Sequence, residues 1–386
     1  MHYLDHAATT PVRPEVAAVY AEELTRGGNP SSLHSAGRDA RRRLEEAREE
    51  LAAALGAEPA EVVFTSGGTE ADNLAVKGAV YAHSSPRPRL LVSAIEHHAV
   101  LDAATWLEER GLADVAVLPV TPDGVVDLDA ARRLLGEGEP PVLMSVMWAN
   151  NETGVVQPVP ELVALAGATP VHSDAVQAVA HLPLDFHASG LAAMSVTGHK
   201  LGGPVGTGAL LVRRELALAP VHHGGGQERG VRSGTLDVAG ARALARAVSL
   251  AVADRDAEHA RLAALRDRLV DGALAAVEGL RLTGADAPRL PNVAHLTVDG
   301  ADADSLLFAL DVAGVAASAG SACSAGVQEA SFVLTAMGYP PALARSALRL
   351  SLGRTSTRDD VDAVLAALPD VVARSRAANA TRRAAG

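Results

Sequence analysis

Between about residue 60 and residue 215 the chain repeats one pattern: a short apolar run rich in β-branched residues, then a longer stretch rich in Ala, Leu, Glu and Arg. Runs at 62–65, 90–94, 115–119, 142–147, 171–173, 194–197 and 209–212 read as seven strands. Several are apolar without alternation, as expected of strands covered on both faces. Helical stretches at 71–81 and 100–110 separate some of them. The alternation therefore predicts an α/β protein with a mostly parallel seven-stranded sheet and helices on both faces. Strand order does not follow from the pattern. A Gly-rich segment from Gly224 to Gly234 closes this region, and a long helical stretch at 238–277 follows. A strand at 292–297 and helices at 303–309 and 358–367 predict a smaller α+β domain. The Ala- and Arg-rich tail from Ala373 is expected to fray.

Composition narrows the function. With 386 residues and 48% of them hydrophobic, the chain can bury a large core. Aromatic residues make up only 3%, too few for the stacking platforms of a single-strand nucleic-acid binder. A net charge of −12 repels phosphate backbones, so direct binding of nucleic acid is not expected. The local basic cluster Arg38, Arg41, Arg42 and Arg43 reads as an exposed helix face, because Glu45, Glu46, Glu49 and Glu50 follow at helical spacings. The single cysteine cannot form an intramolecular disulfide, which fits a reducing cytoplasm. The opening Met1-His2-Tyr3-Leu4-Asp5 is not a signal peptide, and no uncharged apolar run approaches the length of a membrane span. The expectation is a soluble cytoplasmic protein.

In open parallel sheets ligands bind beyond the carboxyl ends of the strands, and the polar residues collect there. Ser66-Gly67-Gly68-Thr69 follows the first run; it is either an anion cradle at a helix start or a plain turn with Thr69 as N-cap. It lacks the Gly-Lys-Ser/Thr ending of a Walker loop. Glu96, His97 and His98 follow the second run, Asn150 and Asn151 the fourth, Asp174 and Gln177 the fifth. Lys200, in Thr197-Gly198-His199-Lys200, follows the sixth. Lys77 and Lys200 are the only lysines of the chain, so a lysine kept at a strand end where Arg is otherwise used suggests imine chemistry with an aldehyde cofactor. The alternative is a solvated surface lysine. Asp174 would match it by holding a pyridinium nitrogen, or else it caps a helix. His97 could stack on a cofactor ring or serve structure alone. A metal site from His97, His98 and His199 ranks low, because the spacing matches no metal motif. Cys323 lies among Gly, Ser and Ala from Ala317 to Gly326; it reads either as a small buried hydrophobe or as a thiol on a mobile arm.

Taken together these residues give a resemblance to the cysteine desulfurases, of the NifS/IscS-like group in the class V aminotransferase family of fold-type I pyridoxal-phosphate (PLP) enzymes. It runs from Tyr3-Leu4-Asp5-His6-Ala7-Ala8-Thr9-Thr10 to Arg349-Leu350-Ser351-Leu352-Gly353-Arg354. Between them stand Gly28-Asn29-Pro30-Ser31-Ser32, Phe64-Thr65-Ser66-Gly67-Gly68-Thr69-Glu70, Asn150-Asn151-Glu152-Thr153-Gly154, Ser173-Asp174-Ala175-Val176-Gln177 and Arg229-Gly230-Val231-Arg232-Ser233-Gly234-Thr235. Each segment alone is ambiguous, and their joint order and spacing are specific. The resemblance implies a large PLP-binding domain at 15–250, and a small domain from 1–14 and 251–386 that carries the cysteine loop.

The resemblance also implies roles. Lys200 would hold the cofactor as an imine and shuttle the α-proton. Asp174 would pair with the pyridinium, Gln177 with the ring oxygen, and His97 would stack on the ring. Gly68, Thr69, Thr197 and His199 would hold the phosphate, and Thr235 would reach the phosphate in a partner subunit, which implies a homodimer with shared sites. Asn151 and Arg349 would hold the substrate carboxylate, and Cys323 would take sulfur from L-cysteine as a persulfide, leaving L-alanine. The acceptor would be an iron–sulfur scaffold or a tRNA-thiolation protein. Thr197 stands where many relatives have Ser, and the chain ends without the longer tail of many IscS-type members, which leaves the scaffold partner open. Competing readings are a selenocysteine lyase or another class V lyase or aminotransferase, and a non-catalytic PLP-binding scaffold.

Overall fold

A computed structural model describes residues 1–320 and 330–385. Its strands are β1 (His2–Tyr3), β2 (Val62–Thr65), β3 (Arg89–Ser93), β4 (Asp114–Leu118), β5 (Leu143–Ser145), β6 (Val171–Asp174), β7 (Ala193–Thr197), β8 (Gly208–Val212), β9 (Leu280–Leu282), β10 (Val293–Val298), β11 (Val315–Ala316) and β12 (Ala347–Ser351). Seven of them form the large sheet in the order β2-β8-β7-β6-β5-β3-β4. Only β8 runs against its neighbours β2 and β7. Every residue of β2, β5, β6, β7 and β8 is buried, which explains the unbroken apolar runs. Each predicted strand is present, with ends displaced by at most two residues.

Helices Gly68–Ala82 and His98–Glu109 pack together on one side of this sheet, over a cluster that includes Val76, Val80, Leu90, Val92, Val100 and Leu143. The 39-residue helix Val238–Ala276 lies against helices Pro14–Leu24 and Ser35–Leu55 on a second cluster that includes Val16, Leu44, Leu51, Val196 and Leu244. Its last turns join a different cluster, with Leu262, Leu269 and Val270 beside Leu296, Leu348 and Val364. That cluster backs the three-stranded antiparallel sheet β12-β10-β9. At the N-terminus β1 pairs in parallel with β11, and Asp5 bridges to Ser351. The chain from His6 to Thr9 is thereby held across the end of the large sheet, where Thr10 N–H donates to the carbonyl of His199 at 3.0 Å.

Two expectations are corrected. Arg42 does lie on an exposed face, paired with Asp39 at 2.6 Å and with Glu46. Arg43, however, is buried with 2% exposure and is bonded to the equally buried Glu23. It stands about 100° round the helix from Arg42, on the inward stripe with Ala40, Leu44 and Ala47, where its charge is paired with Glu23. The tail from Ala373 does not fray either: helix Arg358–Ala385 continues through it. Ser375 is fully buried, Arg376 donates to the carbonyls of Asp299 (2.8 Å) and Glu278 (2.6 Å), and Asn379 donates to that of Gly300 (3.0 Å). These bonds satisfy the turn after β10 and tie the tail to it.

Candidate active site

A cavity of about 430 Å³ opens at the carboxyl ends of the parallel strands. Groups from the ends of β2, β3, β5, β6 and β7 all reach it. β6 ends on Asp174, whose Oδ1 accepts the N–H of Val176 at 2.8 Å. The residue is 6% exposed, and no ion pair holds it among the described residues. Burial pushes this carboxyl above the ordinary aspartate range, while His97 and Lys200 pull it back. Gln177, one turn on, donates Nε2–H to the carbonyl of Ala7 at 2.9 Å and also faces the cavity.

Lys200 follows β7 through Gly198 and His199. Its ammonium donates to the carbonyls of Ala7 and Ala8, the latter at 2.6 Å, so the N-terminal strap supplies its only bonds among those described. Burial lowers its pKa to about 8, with Arg349 adding to the effect and Asp5 and Asp174 opposing it. A nucleophilic amine is thus available near neutral pH. His97 caps helix His98–Glu109, its Nδ1 accepting the N–H of Ala99 at 3.1 Å. A neutral ring therefore carries its proton on Nε2. Its pKa is lowered, by burial first.

The helix Gly68–Ala82 starts at the cavity, and its N-cap is Gly67 rather than Thr69. Gly67 has φ +151°, a conformation that L side chains rarely adopt, and the side chain of Gly208 is missing for a related reason: a Cβ there would lie 2.6 Å from the Gly67 backbone. Gly68, Thr69, Thr197 and His199 line this part of the cavity. A Cβ on Gly68 would come within 2.9 Å of Val176 Cγ2 and 3.8 Å of Thr197 Cβ. Free N–H groups of a helix start beside two hydroxyls and an imidazole suit a phosphate dianion.

Asn151 and Arg349 line the cavity together. Arg349 donates Nη1–H to the carbonyl of Asn151 at 2.7 Å and Nη2–H to Asp5 Oδ1 at 2.9 Å. Its Nε and the side-chain oxygen of Asn151 are buried without partners. A bound carboxylate would satisfy the free Nε. Of the predicted site residues, then, all but two are brought to one cavity. Thr235 is exposed and lines a different pocket, with Ser66 and Arg232. Cys323 lies outside the described residues.

Three buried carboxyls had no role in the sequence reading. Glu96 accepts from Ser93 Oγ and from Met147 N–H at 2.7 Å, and burial raises its pKa to about 8. Asp72 lines the cavity, 3.7 Å from His172 Nε2, and is pushed far up by burial and by its neighbour Asp174. Glu152 is raised to about 7, chiefly by burial. Spacing held a signal for Asp72, one helical turn after Gly68; Glu96 and Glu152 adjoin His97 and Asn151 in sequence but show no burial there. Among the described residues no group of three or more His, Cys, Asp or Glu is placed to hold a metal ion.

The donor set fits pyridoxal phosphate: a depressed lysine amine, a buried carboxyl with no cation, and a glycine-lined helix start share one cavity. Residues 2–364 match the model of the Aminotransferase class-V family. The chain is 54% identical over 384 residues to an "IscS-like cysteine desulfurase" of Mycobacterium tuberculosis, covering 98% of each. It is 41% identical over 377 residues to "Cysteine desulfurase IscS" of Methanosarcina thermophila, covering 97% of this chain and 92% of that one. Among solved structures, a "NIFS-LIKE PROTEIN" superposes with a TM-score of 0.88 at 32% identity, covering 96% of this chain and 99% of the other.

Proposed function

Because the chain belongs to the class-V aminotransferase family, and within it to the cysteine desulfurases, we propose that its cavity residues divide the desulfuration of L-cysteine as follows. The protein is a PLP-dependent enzyme. When bound, PLP supplies an aldehyde for the lysine amine and an electron sink for the substrate α-carbon. Lys200 would hold it and would move the α-proton, a task that its pKa of about 8 suits. Asp174 would pair with the ring nitrogen, whose positive charge would favour the carboxylate form that burial disfavours. Gln177 would hydrogen-bond the ring oxygen, and His97 would stack on the ring. Gly68, Thr69, Thr197 and His199 would hold the phosphate. Asn151 and Arg349 hold the substrate carboxylate, with the unpartnered Nε of Arg349 as the donor already waiting.

Cys323 is the sulfur acceptor in this reading. Its thiolate attacks the sulfur of the bound cysteine, the carbon–sulfur bond breaks with its electron pair left on carbon, and a proton returned by Lys200 completes alanine. The product on the enzyme is a persulfide, balanced without any external oxidant. Thr235, exposed and away from the cavity of its own chain, is free to meet the phosphate of a partner, which supports a homodimer. The division into 15–250 and 1–14 with 251–386 cuts within helix Val238–Ala276, ahead of the point where its contacts pass from the first hydrophobic cluster, which still includes Ala251, to the second, which begins at Leu262. A lone cysteine supports a reducing, cytoplasmic setting, and no described helix is long and apolar enough to cross a membrane. The acceptor of the persulfide is an iron–sulfur scaffold or a tRNA-thiolation protein.

The observation that carries these roles is the convergence of Lys200, Asp174, His97, Asn151 and Arg349 on one cavity. The test gives the PLP-loaded protein L-cysteine and a reductant, and quantifies alanine and sulfide. Equal amounts of both are expected, and Cys323→Ser should lose sulfide release while keeping the cofactor. Wild-type release from Cys323→Ser would remove Cys323 from the mechanism.

A further inference from the structure

His172 and Asp174 stand two residues apart on β6 and so point to one face of the large sheet. On that face Ser145 of β5 is paired with His172, and Ser195 of β7 with Asp174. Both neighbours clamp the His172 ring, its Nδ1 lying 2.9 Å from Ser145 Oγ and its Nε2 3.0 Å from Ser195 Oγ. Helix Gly68–Ala82 brings Asp72 to the same group, with Oδ1 3.7 Å from His172 Nε2, and the Ser195 hydroxyl also bonds this carboxyl. None of Ser145, His172, Ser195 and Asp72 is more than 1% exposed. Asp72 nonetheless borders the cavity, and its Oδ1 has no hydrogen-bond partner among the described residues. Packing between helix and sheet alone would be served as well by apolar side chains.

The row Asp72–Ser195–His172–Ser145 can run in two senses, because a hydroxyl and a neutral imidazole each give and accept. With Asp72 ionised, Ser195 donates to it, His172 donates from Nε2 to Ser195, and Ser145 donates to Nδ1. With Asp72 protonated, all three bonds reverse. The surroundings select the second sense. Burial lowers the pKa of His172 to about 3, so the ring is no counter-ion. Asp174 and Glu96 both repel charge from Asp72. The nearby cationic groups are engaged elsewhere: Lys200 bonds Ala7 and Ala8, Arg349 bonds Asn151 and Asp5, and His97 faces Asp174. A ring nitrogen can neutralise one carboxylate and not two. We propose that Asp72 is a positioning residue for the cofactor: held as the neutral acid, it donates to Ser195 and ties the phosphate-binding start of its helix to the strand ends around Asp174, which alone carries the negative charge. This rests on the reading of Asp174 and Gly68–Thr69 as cofactor contacts.

The test reads the proton directly and the tie by affinity. Infrared spectra of the PLP-loaded wild type and Asp72→Asn are compared near neutral pH in the carbonyl region of protonated carboxyls. One such band should vanish in Asp72→Asn, while those of Glu96 and Glu152, whose pKa values burial also raises, remain. PLP affinity is then measured by equilibrium dialysis. Asp72→Ala and Ser195→Ala each lose a buried hydrogen bond and should bind PLP about tenfold more weakly. Asp72→Asn offers Ser195 an N–H in place of the acid proton and should restore affinity to within about threefold of wild type. The proposal is overturned if Asp72→Asn loses no band, if it binds PLP as weakly as Asp72→Ala, or if Ser195→Ala binds like wild type. Should Asp72→Ala not fold, the band in Asp72→Asn and the affinity of Ser195→Ala decide. Asp174→Ala separates the two levels: wild-type PLP affinity there would remove the reading of the cofactor site itself, whereas the other failures leave that reading standing.

Discussion

The depressed pKa of Lys200 makes cofactor capture by the apoprotein a titration of one residue. Burial and Arg349 bring the amine to about 8 from the ordinary 10.5. That difference raises the ratio of free amine to ammonium by roughly 300-fold at any pH well below both values. At pH 7.5 about a quarter of the chains would present a free amine, against about one in a thousand for an exposed lysine. Apoprotein mixed with PLP should therefore form the attached cofactor at a rate that climbs about tenfold per pH unit up to pH 8 and then levels. The assay is the absorbance of the attached cofactor in stopped flow, with n-butylamine as reference for titrations of the aldehyde itself. A rate still rising about tenfold per unit beyond pH 9 would refute the argument, since Lys200 would then titrate as a solvated lysine. Stability of the apoprotein offers a second sign. Between about 8 and 10.5 the unfolded chain keeps a proton that the folded chain has released, so stability should rise with pH across that window.

Two further outcomes follow from particular contacts. Gly68→Ala would push a Cβ to 2.9 Å from Val176 Cγ2 beside the proposed phosphate site, and should weaken PLP binding about tenfold in equilibrium dialysis; unchanged affinity would mean that the cradle lies elsewhere. Glu23→Ala leaves Arg43 buried with only Asp39 at 3.1 Å and the Gly27 carbonyl at 3.4 Å, and should destabilise the fold by about 3 kcal/mol in urea titration, whereas a loss under about 1 kcal/mol would show that Asp39 suffices as counter-ion.

The large sheet was legible because its strands are buried on both faces, and such strands announce themselves as unbroken apolar runs. Lys200 was legible for a compositional reason, a rare lysine in an Arg-rich chain placed just past such a run. Asp174, His97 and the glycine turn at 66–69 were legible as polar groups at strand ends, where a parallel sheet puts its ligands. Arg43 and the tail were misread, because exposure on a helix depends on what packs against it, and neither Glu23 nor the turn at 299–301 is near them in sequence.

The sequence by itself determined the α/β layering and which residue types stand at the strand ends, since both depend on local periodicity. Only the tertiary structure decided which of those residues meet. The strand order β2-β8-β7-β6-β5-β3-β4 sets which strand ends stand side by side, and the pairing of β1 with β11 brings the carbonyls of Ala7 and Ala8 to Lys200. Desolvation was decided there too: the shifted pKa values of Lys200, Asp174 and Glu152 come from burial among elements far apart in the chain, a quantity that no local pattern contains.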